Sequence, residues 1–308
     1  MEKKLLIAVD SSFHCRCCIK YAIKTASDIE RLHYTLIHVQ RPISSYLIDE
    51  AKRQPDKKKE LEQAIQRNTE AAFHLLDSLK TFMIQEGVPP EHIDVVTQPK
   101  VSDTARDIIV FAENGGFDAI VIGRRGISRL QETFSGSVTS NLIEYSRLVP
   151  IWIVDGEIVS NRIMVAVDGS ESSLRAVDHL CFMLAGNREI VVTLFHVTPL
   201  FGDYCQIDPE LKEEMEPIQI QGDKKCIDNF MGLARKHFQV AGLTEAQIRF
   251  RVVEKRFNPG KAIVEELEKE KYGTVVIGRS GMERAFFMGS VSRYVLNKAS
   301  NCALWVVS

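Results

Sequence analysis

The chain repeats itself. Val121-Ile-Gly-Arg-Arg-Gly126, followed by Gly136-Ser-Val138, returns as Val276-Ile-Gly-Arg-Ser-Gly281 followed by Gly289-Ser-Val291. Leu5-Leu-Ile-Ala-Val-Asp10 returns as Ile163-Met-Val-Ala-Val-Asp168, and Leu36-Ile-His-Val39 as Leu194-Phe-His-Val197, both 158 residues later. The offset falls to 155 at the first glycines and to 153 where Ile151-Trp-Ile153 meets Leu304-Trp-Val306, so the second copy has lost a few residues. Chance likeness between two unrelated domains would not keep six landmarks in order. A period near 150 far exceeds solenoid and propeller repeats and matches the size of a globular domain. Two domains are therefore expected, residues 1–155 and 161–308, with a short link from Asp155 to Asn161.

Within each copy, strands and helices alternate. Leu5 to Val9 is a continuous apolar run, as a strand covered on both faces requires. After Asp10 the spacing turns helical, with Cys15, Cys18, Ile19, Ala22 and Ile23 on one face. Strands follow at Tyr34–Val39, Ile93–Val96, Ala119–Ile122 and Pro150–Val154, with helices at Lys57–Met83, Thr104–Glu113 and Ser137–Arg147. Leu61, Ala64, Ile65, Ala72, Leu75, Leu76 and Leu79 form the inner side of the long helix, whose counterpart is expected near Asp223–Val240. Such alternation gives parallel βαβ units with right-handed crossovers and an α/β fold.

The glycine segments point to chemistry. Each is a short apolar strand entering two glycines, then a loop, then a Gly-Ser-Val that opens a helix. Paired glycines and a helix N-terminus expose backbone N–H groups, which is how proteins hold phosphate without a metal. Glycine at 123 and 126 would let the chain turn with positive φ and let phosphate oxygens approach the backbone. Ser137 can donate its hydroxyl at a positively polarised helix start, and Arg125 offers a charge-assisted fork. In an open parallel sheet a ligand sits beyond the carboxyl ends of the strands, where strand order reverses. Asp10, Val39 and Gly123 all fall at such ends.

These residues together resemble the universal stress protein family, whose nucleotide-binding members carry Gly-x2-Gly-x9-Gly-(Ser/Thr). Gly123, Gly126, Gly136 and Ser137 meet that spacing in full, and the likeness covers both halves end to end. The resemblance implies two tandem adenine-nucleotide α-hydrolase-like, Rossmann-like domains, each an open five-stranded parallel sheet with helices on both faces. It also implies ATP or AMP as ligand and leaves open whether Mg2+ accompanies it. By similarity, Asp10 and the backbone at Val39 would meet the adenine and Ile122 and Gly123 the ribose, while Arg125, Gly126, Gly136, Ser137 and Val138 would surround the phosphates. The second set is Asp168, Val197, Ile277, Gly278, Ser280, Gly281, Gly289, Ser290 and Val291.

The second set departs from the pattern, with seven residues instead of nine between Gly281 and Gly289, and Ser280 where the first copy has Arg125. Its turn Asp168-Gly169-Ser170 is nevertheless the more typical one, against Asp10-Ser11-Ser12 in the first copy. In this family the terminal strands pair between subunits. Ile151–Val154 and Ala303–Val307 are thus expected to pair within one chain as an intramolecular pseudo-dimer, and a homodimer of whole chains is left open.

Other features narrow the function. A formal charge of −2 gives no field to recruit nucleic acid or an anionic membrane. Five apolar residues before Asp10 are too few for a secretory or spanning segment, and seven cysteines without a spaced framework suit a reducing cytoplasm. Cys15 and Cys18 align with Ser173 and Ala176, which favours packing over a metal site. His38 and His196 recur at one strand end, as a shared structural hydrogen bond would. Residues 41–56 and 198–214 are long connections on the ligand side, with Tyr46 and Tyr204 at matching places. No P-loop, no Gly-x-Gly-x-x-Gly after strand one and no Ser-Gly-Gly-x-Asp-Ser loop is present. Nucleotide-dependent regulation is therefore the favoured reading, with slow ATP hydrolysis and a nucleotide-free stress-response scaffold as the other two.

Overall fold

The computed structural model describes residues 2–12, 14–25, 32–124, 137–199, 209–256, 258–280 and 288–308. They form two compact units, one of Met1–Lys24 and Arg31–Val149, the other built on Pro150–Ser308.

In the first unit, β1 (Lys3–Ala8), β2 (Leu32–Gln40), β3 (Ile93–Pro99) and β4 (Ala119–Gly123) lie in the order β3-β2-β1-β4, all parallel. The apolar run predicted for β1 is the centre of the core: Leu5, Leu6 and Ile7 are fully buried, as are Leu36 and Val121 beside them. Helix α1 (His14–Thr25) buries Cys15, Cys18, Ile19, Tyr21 and Ala22, close to the predicted face. Within the long connection expected after β2, Ser45–Arg53 forms a helix, α2, followed at once by α3 (Pro55–Gln85). Proline at N1 starts α3 because its missing N–H costs nothing there. Helix α2 buries no residue, and Tyr46 is 72% exposed. Ile65, expected on the inner side of α3, is 46% exposed, because burial on this helix begins only at Ala72. Helices α4 (Thr104–Gly115) and α5 (Ser137–Tyr145) complete the unit, with α3 against β2 and β3.

The second unit repeats the scheme with β6 (Arg162–Val167), α6 (Glu171–Leu184), β7 (Val191–Pro199), α7 (Pro209–Val240), β8 (Ile248–Arg256), α8 (Pro259–Glu270), β9 (Thr274–Gly278), α9 (Ser290–Lys298) and β10 (Ala303–Val307). Helix α7 starts fourteen residues before the predicted Asp223, in a charge-rich stretch whose sequence shows little helical phase. The buried positions of α3 recur on α7 at a constant offset of 155: Ala72 with Ile227, Leu76 with Met231, Leu79 with Ala234 and Met83 with Phe238. Strand order is β10-β9-β6-β7-β8, all parallel, and one more strand, β5 (Ile151–Val154), adds antiparallel to β10. Trp152 stands directly opposite Trp305 in that register, so the expected pairing of the two terminal strands is present. Their rings stack 3.8 Å apart with planes 3° from parallel, and His179 of α6 meets both rings edge-on.

Candidate functional site

Strand order places the site. In each unit the chain runs outward on one side (β1 to β2 to β3, and β6 to β7 to β8) and then crosses back to β4 or β9 on the other side of the first strand. The order therefore reverses between β1 and β4, and between β6 and β9, the places where an open α/β sheet leaves a crevice beyond its carboxyl ends. Asp10 and Gly123 flank the first crevice, with Val39 on the neighbouring strand; Asp168, Gly278 and Val197 do the same for the second.

Both aspartates are held alike. Asp10 Oδ1 accepts from the Ser12 N–H at 2.9 Å, and Asp168 Oδ1 from the Ser170 N–H at 3.0 Å. This Asx turn fixes the carboxylate against its own backbone. In the second copy Ser170 also caps α6, accepting from the Ser173 N–H at 3.2 Å. Gly169 has φ +80, and a Cβ there would lie 2.7 Å from Cys226 Sγ, so this turn demands glycine on two counts. Ser11, at the matching place, does not adopt positive φ, and the first copy's turn follows a different path.

The histidines behave as predicted from their recurrence. His38 Nδ1 lies 2.9 Å from Val9 O, and His196 Nδ1 lies 2.9 Å from Val167 O. Each ring thus donates to the carbonyl that precedes the site aspartate by one residue. His196 alone has a second partner, Asp223 Oδ2 at 3.1 Å.

The glycines at the strand ends need another explanation than the one drawn from sequence. Neither Gly123 nor Gly278 has positive φ. Both are glycine because a helix start presses against them. A Cβ at 278 would lie 2.5 Å from Ser172 Oγ and 2.9 Å from its backbone C and O; at 123 it would meet Cys18 Sγ at 3.3 Å and His14 Cβ at 3.5 Å. Gly278→Ala must therefore displace helix backbone, and we expect a loss of about 1–3 kcal/mol, while Gly123→Ala needs only small side-chain shifts and should cost less than about 1 kcal/mol. Urea unfolding of the two variants checks the contrast, and equal losses would refute it.

Two residues that the sequence reading passed over tie each crevice together. Thr139 Oγ1 donates to Gly123 O at 3.3 Å, and Ser292 Oγ donates to Gly278 O at 2.7 Å. They stand 153 residues apart, the same offset as the glycine before each helix, so the repeat held the signal. Each bond draws the first turn of α5 or α9 onto the strand end. At α9 the N-cap is Gly289, which has no side chain to cover the helix amides, and its own N–H goes to Arg279 O at 3.0 Å.

Several predicted positions lie outside the described residues: Arg125, Gly126 and Gly136 in the first set, Gly281 in the second, and Tyr204 in the connection after β7. Ser137 is the first residue of α5 and Val138 follows it; Ile122 and Ile277 lie near the ends of β4 and β9, Ser290 and Val291 open α9, and Ser280 lies two residues past the end of β9. Arg279, the arginine that the second copy keeps, is only 9% exposed. Burial pushes the Cys15 thiol up to about 12 and the Cys18 thiol upward as well, in line with packing and against thiolate chemistry. Among the described residues no group of three or more His, Cys, Asp or Glu could hold a metal ion, and no helix is long and apolar enough to cross a membrane.

Comparison with known proteins agrees with this layout. The sequence matches the universal stress protein family over residues 1–155 and again over 160–308. It is 23% identical to a universal stress protein of Mycolicibacterium smegmatis, across 97% of this chain and 95% of that one. A universal stress protein of Methanocaldococcus jannaschii is 27% identical, covering 50% of this chain and 95% of its own length. A crystal structure of a universal stress protein from Archaeoglobus fulgidus superimposes with a TM-score of 0.66 at 19% identity, covering 99% of this chain and 98% of that one.

Proposed function

Because the chain belongs to the universal stress protein family, we propose that each half, residues 1–155 and 161–308, is a domain that binds an adenine nucleotide, ATP or AMP, and that binding regulates a stress response instead of driving metabolism. The observation that carries this reading is the start of α9. A helix N-terminus capped by a glycine with no side chain is anchored by Ser292 to the end of β9, one strand from Asp168. Uncovered amides and the helix dipole make an anion site there. Asp168, with one oxygen already committed to Ser170, keeps the other for a base or ribose, and the backbone at Val197 lies one strand further along.

The same roles fall to Asp10, Val39, Ile122, Gly123, Arg125, Gly126, Gly136, Ser137 and Val138 in the first half, and to Ile277, Gly278, Ser280, Gly281, Gly289, Ser290 and Val291 in the second. Magnesium, where it joins, would arrive on the phosphates. On this reading the β5–β10 pair is the intramolecular counterpart of a contact between subunits, and the protein works in the cytoplasm.

The test is direct. Protein purified without added nucleotide and then denatured should release ATP or AMP, and calorimetry on stripped protein should show heat with at least one of ATP, ADP and AMP. Release of phosphate above background that disappears in Gly126→Val or Ser137→Ala would favour the slow hydrolase. No released nucleotide and no heat would leave the scaffold.

A further inference from the structure

The second unit carries a device that the first lacks. His196 is 3% exposed at the end of β7, and both of its ring nitrogens face acceptors: Nδ1 faces Val167 O at 2.9 Å and Nε2 faces Asp223 Oδ2 at 3.1 Å. A neutral imidazole has one N–H and can serve only one of them; the imidazolium serves both. Val167 immediately precedes Asp168, and His196 immediately precedes Val197, so the ring sits between two predicted ligand contacts and fastens both to α7. Along the same stretch of α7, Cys226 and Ile227 pack against Gly169 in the turn that follows Asp168. The first unit keeps the carbonyl bond of His38 but not the carboxylate. By the offset of the buried positions, Asn68 stands where α7 has Asp223, and its amide donates to Arg41 O at 2.9 Å.

We propose that His196 and Asp223 form a proton-held clasp that positions the Val167–Asp168 strand end, so that ligand binding in the second site weakens as pH rises while the first site lacks this dependence. This rests on the nucleotide reading given above. When the ring is charged, both bonds hold the strand end to α7. When the proton leaves, one bond is lost and an acceptor is left buried without a donor.

The surroundings agree with this assignment. From α7, Asp223 is in ion-pair contact with the ring, its side chain 23% exposed, and Lys224 and Lys225 follow it in sequence. From β6 the nearest charge along the chain is Asp168, whose Oδ1 is held by Ser170. From β8 the residue opposite His196 is the apolar Val252; its neighbour Arg251 is paired with Glu266 and Glu270 of α8. Among the described residues, Asp223 is the one charged group in ion-pair contact with the ring.

Asp223→Asn separates this role from simple packing. Its amide can donate to Nε2 of a neutral ring while Nδ1–H serves Val167, so the ring no longer needs a second proton. The whole chain, with Gly136→Trp added to silence the first site, is titrated with ATP by calorimetry at about pH 6 and about pH 8.5, either side of the range where histidines change charge. Affinity is expected to fall roughly tenfold with rising pH, the loss of one charge-assisted hydrogen bond. With Asp223→Asn the fall should shrink to that of the ligand's own ionisation, which is common to both proteins and cancels in the comparison. An equal fall in both, or no fall in the parent, overturns the clasp. If neither protein binds ATP at either pH, the nucleotide reading fails, and amide exchange at Ser170 decides the clasp. Protection that drops with pH in the parent and not in Asp223→Asn supports it, and equal protection overturns it.

Discussion

Acidification from pH 6.5 to about pH 3 is expected to cost the second unit about 5 kcal/mol of stability through one side chain, His179. The ring is partly buried against the two tryptophans, and desolvation lowers its pKa from 6.5 to about 3. Trp152 Nε1–H donates to His179 Nε2 at 3.1 Å, and an indole nitrogen can only donate, so that ring nitrogen must carry a lone pair. Geometry and burial thus agree that the folded state holds a neutral histidine. The unfolded chain takes up a proton below pH 6.5 and the folded one does not. The stability is therefore complete above pH 6.5, falls by up to about 1.4 kcal/mol per pH unit below it, and levels off near pH 3. His179→Gln keeps an acceptor oxygen and cannot titrate in this range. Urea unfolding at several pH values should show the parent losing stability faster than His179→Gln as pH drops from 6.5 to 4.5. The chain's two tryptophans are the two that touch His179, so their fluorescence reports the event where it happens. Parallel losses in the two proteins would mean that the histidine is not held neutral.

How much of this was legible beforehand depends on whether the signal was local. The strand centred on Leu5–Val9, the crossover pattern and the reversal of order follow from apolar runs and helical spacing, and these carried the α/β fold. The repeat sharpened them further, since Asp10 and Asp168 announce a shared turn by recurring. Helix α2 was missed because a helix that buries nothing shows no apolar face to the core. The cause of glycine at 123 was misread, because a glycine demanded by positive φ and one demanded by a close helix look alike in a sequence. Asp223 had no signal at all: it reaches His196 across 27 residues, and its aligned position holds Asn68, so the repeat itself hid it. Thr139 and Ser292 were different. Both are hydroxyl residues three places after the motif glycine, and that recurrence could have been read.

Replacing Trp152 by alanine should be among the most damaging substitutions in the second unit, at about 4–5 kcal/mol, and the same change at Trp305 should also cost about 3–5 kcal/mol. Both side chains are fully buried, so each truncation opens a cavity of similar size in a closely packed interior. They also face one another directly across the antiparallel β5–β10 pair, and either loss removes the 3.8 Å stack, an aromatic contribution of about 0.5–1.5 kcal/mol beyond burial. Only Trp152 satisfies His179 Nε2, and its removal leaves that nitrogen without the donor the fold supplies. Trp152→Phe isolates this effect: most of the stack and volume stay, the N–H goes, and about 1–2 kcal/mol should be lost. The double variant Trp152→Ala/Trp305→Ala should be less damaging than the sum of the two by about 1 kcal/mol, since the stack can be lost only once. A Trp152→Phe variant as stable as the parent would show that the indole–imidazole bond adds nothing to the terminal strand pair.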